Sequence, residues 1–396
     1  MKKVAILGVL FSVLSILSFA DAQQTEQSVR FFGFVKYDFF YDSREMVAAR
    51  QGQYSLFPAG KVFNQNGNDI NGNPNFHMLA IQTRLGVDYR GPEAFGASSR
   101  GFIEGAFFGN IESDINGFRL RHAFVELNWD GKHKLMMGQF WHPLFAERAV
   151  PGVVGFNTGA PFKPFARNPQ VRYTFTEGNS SIILAALSQI DFASQFGSHS
   201  IRRSAVPNVH AQFQQQMGNF LGGVGADFKV LRPMFSHGEE TISSYAFTGF
   251  GNYGKGDFRL MFQGTYGQNL FDHLMLGGFG VRESGNDYYL ENINVGAAWI
   301  DVSYGKTTRA GLFGGYSKNY GAEDTFTQGA VSYRGTNIDH IWRISPRIEW
   351  TSGPVRLSTE VEISTAAYGT PDTQGLVQNT SSVTNYRFLF AAWYSF

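Results

Sequence analysis

The chain has no cysteine, which excludes a disulfide framework, a thiolate nucleophile and any metal centre built on sulfur. Charge is also scarce: Asp, Glu, Lys and Arg make up 16% of the residues and nearly cancel, leaving a formal net charge of +1. Such a balance gives no global basic footprint for nucleic acid. Proline is thin at 13 residues, and no Pro/Ser-rich hinge, charged tail or low-complexity block splits the sequence. Beyond residue 22 no apolar stretch is long enough for a transmembrane helix. Aromatic residues and glycine fill the composition instead, with 39 Phe, 17 Tyr and 46 Gly.

Residues 1–22 open with Lys2 and Lys3, continue in an apolar stretch from Val4 to Phe19, and close on Ala20, Asp21 and Ala22. A basic start, a short apolar run and a small-x-small ending are the pattern of a secretory signal peptide cleaved before Gln23. Losing Lys2, Lys3 and Asp21 takes the 33 basic and 32 acidic residues to 31 of each, so the exported chain of 374 residues is formally neutral.

The remaining sequence alternates with a period of two, the signature of strands with unlike faces. Phe31, Gly33, Val35, Tyr37, Phe39 and Tyr41 share one face, with Lys36, Asp38 and Asp42 on the other. Leu79, Ile81, Thr83, Leu85, Val87 and Tyr89 alternate with Gln82, Arg84, Asp88 and Arg90. Later, Trp342, Ile344, Ile348 and Trp350 oppose Arg343, Ser345, Arg347 and Glu349, and after Thr351–Pro354 the pattern resumes with Val355, Leu357, Val361 and Ile363 against Arg356, Ser358, Glu360 and Glu362. The chain ends NYRFLFAAWYSF, with Tyr386, Phe388, Phe390, Ala392, Tyr394 and Phe396 on one face.

A backbone can cross hydrocarbon without helices only as a closed barrel, with apolar residues toward lipid and polar ones toward the lumen. The predicted fold is therefore all-β: a transmembrane antiparallel β-barrel of about sixteen strands, spanning residues 23–396. Short turns at Asn128–Gly131, Glu177–Ser180 and Tyr253–Asp257 would be periplasmic. Long stretches at 43–75, 142–168, 190–207, 268–285, 318–339 and 365–382 would be extracellular loops. The last strand should meet lipid with its apolar face and close against the first.

Three segments carry a more specific likeness: Phe118–Glu126 (FRLRHAFVE), Met137–Trp141 (MGQFW) and Asn168–Thr174 (NPQVRYT). They resemble the central strands of the DcaP-like porins of Gram-negative bacteria. That resemblance implies a homotrimeric outer-membrane barrel admitting small carboxylates, with residues 142–168 as the candidate constriction loop folded into the lumen. A terminal aromatic also resembles the signal read by the barrel assembly machinery, which makes Phe396 its expected contact. Outer-membrane lipid and lipopolysaccharide are the expected surroundings.

The candidate pore-lining residues are Arg84, Glu104, Arg119, Arg121, Arg167, Arg172, Arg343 and Arg347. Arginine forks hold carboxylates, and a ring of them favours anions. Arg343, Arg347 and Arg356, facing Glu349, Glu360 and Glu362 across one hairpin, read as a structural charge ladder. His122 reads as a satisfied wall residue. The nine histidines show no His-Glu-x-x-His spacing and no close pair on one strand face, so no metal site, cofactor or catalytic residue is expected. Asp69, Asn71 and Asn73 alternate as in calcium loops, but no bidentate acid follows, and the stretch reads as a solvated loop. The sequence thus points to a non-enzymatic porin for small hydrophilic solutes, with anion preference. The alternative is a receptor or adhesin barrel whose long loops bind a partner.

Overall fold

The computed structural model describes residues 27–233, 240–285, 287–327 and 331–396; the proposed signal peptide, residues 1–22, lies outside them. Its main element is one antiparallel sheet of 17 strands that closes on itself. Asn75–Leu79 and Arg84–Arg90 run end to end along the same partner, Ser28–Asp42, so the sheet is a barrel of 16 staves. The last strand, Val377–Ser395, closes it, with Ser395 to Arg387 opposite Phe34 to Asp42. Reciprocal backbone bonds of 3.0 and 3.1 Å between Gly33 and Phe396 finish the seam. Among the described residues no strand edge of the barrel is left open, the condition for a backbone to sit in hydrocarbon.

The alternation sorts as the sequence implies. On the first strand Phe31, Val35, Tyr37 and Tyr41 are exposed, whereas Lys36, Asp38 and Asp42 are fully buried. On the last, Tyr386, Phe388 and Tyr394 face outward while Arg387, Leu389, Ala391 and Trp393 face in. Apolar side chains outside and charges inside invert the pattern of a soluble domain. At one end the staves are joined tightly: Gly353, at φ 55°, turns Ile338–Ser352 into Val355–Pro371, a conformation that costs glycine nothing.

Three expectations shift. The alternation from Leu79 to Tyr89 is interrupted by a turn at residues 80–83, closed by the Thr83 N–H to the Ala80 carbonyl at 3.2 Å. Phe76 and Met78 face outward before it, Leu85 and Tyr89 after it. An inserted residue count reverses parity, as in a bulge, and Ile81, expected toward lipid, packs inward at 3% exposure. The loop expected over 365–382 shrinks to 372–376 because both flanking strands continue. Polar pairs such as Thr365 and Thr384, whose hydroxyls lie 2.8 Å apart, extend the ladder where the lipid-facing pattern has ended. The blurred strand near Tyr288–Trp299 is two elements: Asn294–Gly305 is a stave, and Asp287–Asn292 pairs with Gly277–Ser284, which in turn pairs with Val331–Arg334 in a small sheet at the long-loop end.

Residues 142–166 turn into the barrel, and their backbone is held from several staves. Glu360 accepts the N–H groups of Val154 and Gly155 at 2.9 and 3.2 Å. Lys36 donates to the Val154 carbonyl at 3.1 Å and Arg343 to that of Ala160 at 3.3 Å. The first long loop also turns inward, which its sequence did not announce. Its hairpin of Met46–Ala49 and Tyr54–Pro58 places Tyr54, Leu56 and Phe57 in the core. Tyr54 packs edge-on to Phe156, with centroids 5.5 Å apart, and the Ser55 carbonyl accepts from Asn157 at 3.3 Å. The two loops share an apolar core inside the barrel in which Leu144, Ala149 and Ala160 have no exposure.

Candidate functional site

The predicted arginines separate into two groups. The first occupies neighbouring staves Arg84–Arg90, Ser98–Ala106, Arg119–Trp129, His133–Trp141 and Arg167–Glu177. Ala106 pairs with both Arg84 and Arg119, so these two lie in one row across the wall. A register shift between Glu104 and Gly105 then brings two consecutive residues, Arg121 and His122, to the buried face. Arg121 donates to Glu104 at 2.5 Å, and Arg119 reaches only the Asn110 side-chain oxygen at 3.4 Å.

Arg167 is the outlier of this group. It is 1% exposed, and among the described residues its three guanidinium nitrogens have no hydrogen-bond partner. Aromatic rings hold it instead, with Cζ 4.9 Å from the Phe192 centroid and 5.1 Å from that of Trp141. Arg84 lies 5.1 Å over Phe34, Arg119 5.6 Å over Phe108 and Arg121 5.7 Å over Trp141. Stacking uses the face of a guanidinium and leaves its in-plane N–H groups free. Among the described residues four cations thus meet one hydrogen-bonded carboxylate, Glu104, with the exposed Asp191 a second acid whose charge reaches Arg119 and Arg167.

The second group is saturated. Arg347 grips Asp301 bidentately, at 2.7 and 3.0 Å, and also reaches Glu349 at 3.2 Å. Glu349 passes the chain on to Arg356 at 3.4 Å. A charge ladder is therefore present, but its strongest rung is Asp301, two staves away. Gly311 on the intervening stave makes this possible: a Cβ there would lie 2.4 Å from Cζ of Arg347. Arg343 donates to Ser364 at 2.9 Å, to the Leu56 carbonyl at 2.9 Å and to that of Ala160, fastening both inward loops at once. Glu362 stands 3.9 Å from Arg343 and has no hydrogen-bond partner.

Arg172 belongs with the fasteners. It bonds Gln170 at 2.9 Å, the Trp141 carbonyl at 2.5 Å and Glu147 at 3.2 Å, at the root of the inward loop. Within that loop Lys163 donates to the carbonyls of Phe145 and Ala149 and to Gln263. Burial pulls its ammonium well below the ordinary lysine range, with Glu147 opposing the shift. His122 is less satisfied than expected: it is enclosed by Phe140 and Trp141, its Nδ1 has no partner, and its Nε2 is 3.9 Å from Glu104. Asp69 caps its own turn, accepting from Val62 and Asn71 at 3.1 Å and from Arg44 at 3.2 Å.

Sequence reasoning missed Asp301, which only the spacing of staves places beside Arg347. It also missed a meeting of His142, His210 and Asp227. The signal for that pair was present: counting outward from the hairpin at Gly218 sets His210 directly opposite Asp227.

No protein-family model matches the chain, and no curated protein does. Solved structures do. The outer-membrane channel DcaP of Acinetobacter baumannii is 18% identical, with 95% of this chain and 100% of that one covered at a TM-score of 0.71. The chain has the DcaP-type porin fold. The trimer form of OmpT of Vibrio cholerae is 11% identical, with 94% and 100% covered at a TM-score of 0.57. The Salmonella typhi OmpF complex with daunomycin is 10% identical, with 94% and 100% covered at 0.59.

Proposed function

We propose that the protein is an outer-membrane porin, a water-filled channel for passive diffusion of small hydrophilic solutes, with a preference for anions such as small carboxylates. The observation that carries this reading is the imbalance at Arg84, Arg119, Arg121 and Arg167, where four guanidinium groups meet one hydrogen-bonded carboxylate and Arg167 bonds none. Rings fix the planes of the half-buried Arg84 and Arg119 in advance, so little entropy is lost when a carboxylate accepts from their edges, while the buried Arg121 and Arg167 act through their field. Fixed cations in a narrow lumen attract anions and repel cations. The inward loop 142–168 is the constriction in this reading, and Arg172, Arg343 and Arg347 hold it in place rather than meet the solute. No catalytic group and no cofactor are needed.

The working form in this reading is a homotrimer joined through barrel walls, exported by residues 1–22 and assembled into lipid and lipopolysaccharide through the Phe396 end. A receptor or adhesin barrel is the second reading, favoured by the volume of loop packed inside the staves. Single-channel recording in planar bilayers separates the two. Steady open channels closing in three steps, with an anion-selective reversal potential in a salt gradient, are the expected result; silence from folded protein would overturn the porin reading.

A further inference from the structure

Where the inward loop leaves the wall, four side chains from four segments converge. His142 is the first residue after the stave His133–Trp141, His210 and Asp227 sit opposite each other on the staves Asn208–Met217 and Phe220–Leu231, and His273 ends the short 3-10 turn Leu270–His273. None of the four is more than 6% exposed. Asp227 Oδ1 stands 3.4 Å from His142 Nε2 and 3.2 Å from His210 Nδ1, and the donor atoms of all three lie within 4.8 Å of one another. A tetrahedral ion with bonds of about 2.0–2.1 Å separates its ligand atoms by roughly 3.3 Å. Two of the three edges are already at that length.

The surroundings suit ligation. His210 presents its Nδ1 while its Nε2 lies 3.3 Å from Gln212 Oε1, an outer contact that would fix the tautomer needed for a metal. The second oxygen of Asp227 accepts from Asn208 at 2.9 Å, which orients the carboxylate. The His273 ring centroid is 4.6 Å from that of His142, and its buried Nδ1 has no hydrogen-bond partner among the described residues, so a third imidazole stands just outside the 4.8 Å group of the other three. The Lys229 ammonium is already neutralised by Asp272 at 2.5 Å. A small cleft lined by Trp141, His142, Glu147, Arg172, Gln212 and Gln214 borders the site.

We propose that His142, His210, Asp227 and His273 form a binding site for a divalent transition metal of the zinc class. Nitrogen and carboxylate donors in a tetrahedral set select zinc over calcium or magnesium, which take oxygen ligands. The ion would staple the root of the constriction loop and the turn at His273 to the barrel wall. Ligation through Nε2 moves the His142 proton to Nδ1 and gives up both the 3.0 Å bond between Nε2 and Asn208 Oδ1 and the 3.2 Å contact that Nδ1 now accepts from the Leu144 N–H. The ion therefore replaces these two local contacts with a link between four segments.

The test is isothermal titration of Zn²⁺ alone into untagged, chelator-treated full-length protein, with folding checked by the heat-modifiable mobility of the barrel. One Zn²⁺ per chain is expected. His210→Ala should weaken it at least ~100-fold, and Gln212→Leu, which keeps every ligand, about 10-fold to 100-fold. The Gln212→Leu variant keeps the test decisive if His210→Ala does not fold. No stoichiometric binding, or binding that both variants leave unchanged and that therefore belongs to exposed histidines such as His199, would overturn the site.

Discussion

Arg167 and Arg347 are both arginines on inward faces with about equal burial, yet they are opposites in bonding. Arg347 spends its fork on Asp301 and its Nε on Glu349. Arg167 spends nothing and is held by rings. A pore wall needs both kinds. A paired cation stiffens the scaffold and is invisible to a passing ion, whereas an unpaired one sacrifices stability to keep a field in the lumen.

The largest expected break in this contrast is Arg347→Ala. It strands Asp301 in a buried site and should cost about 3–5 kcal/mol, read as a lower denaturation midpoint of the folded barrel. Gly311→Val should approach that loss without removing a charge, since its side chain would occupy the guanidinium's place. Glu360→Gln comes next. Replacing one of the two oxygens that accept loop N–H groups with an NH2 group should cost about 2 kcal/mol and raise open-channel noise in bilayer recordings. Tyr368→Phe removes a 2.6 Å bond to the Pro58 carbonyl of the other inward loop and should cost about 1 kcal/mol by the same unfolding assay. At the small end, Arg167→Met should leave the midpoint unchanged or raised, because an unpartnered buried cation stabilises nothing. A loss as large as that of Arg347→Ala would erase the distinction.

How much of this was legible beforehand follows from the same physics. Alternation is enforced by lipid on one side and loop or water on the other, so the staves, their turns and the closing strand could be read residue by residue. Where lipid stops constraining a strand, as at Thr365–Tyr368 and Thr384, pairing continues but the pattern does not, and the strand ends were misplaced. Ile81 was misassigned because a turn reverses parity without leaving a compositional mark. The arginines were identifiable as inward, but whether each was paired depended on contacts such as Asp301 to Arg347 that cross a whole stave. The inward course of the first loop was hidden because Tyr54–Pro58 is only five residues long and shows no alternation.

The most direct measurement is the reversal potential of wild type and Arg167→Met in planar bilayers across one KCl gradient. The account predicts an anion-selective wild type whose anion-to-cation permeability ratio falls about fivefold or more in the variant, the effect of ~1 kcal/mol of charge attraction. An unchanged ratio, or a cation-selective wild type, would contradict it.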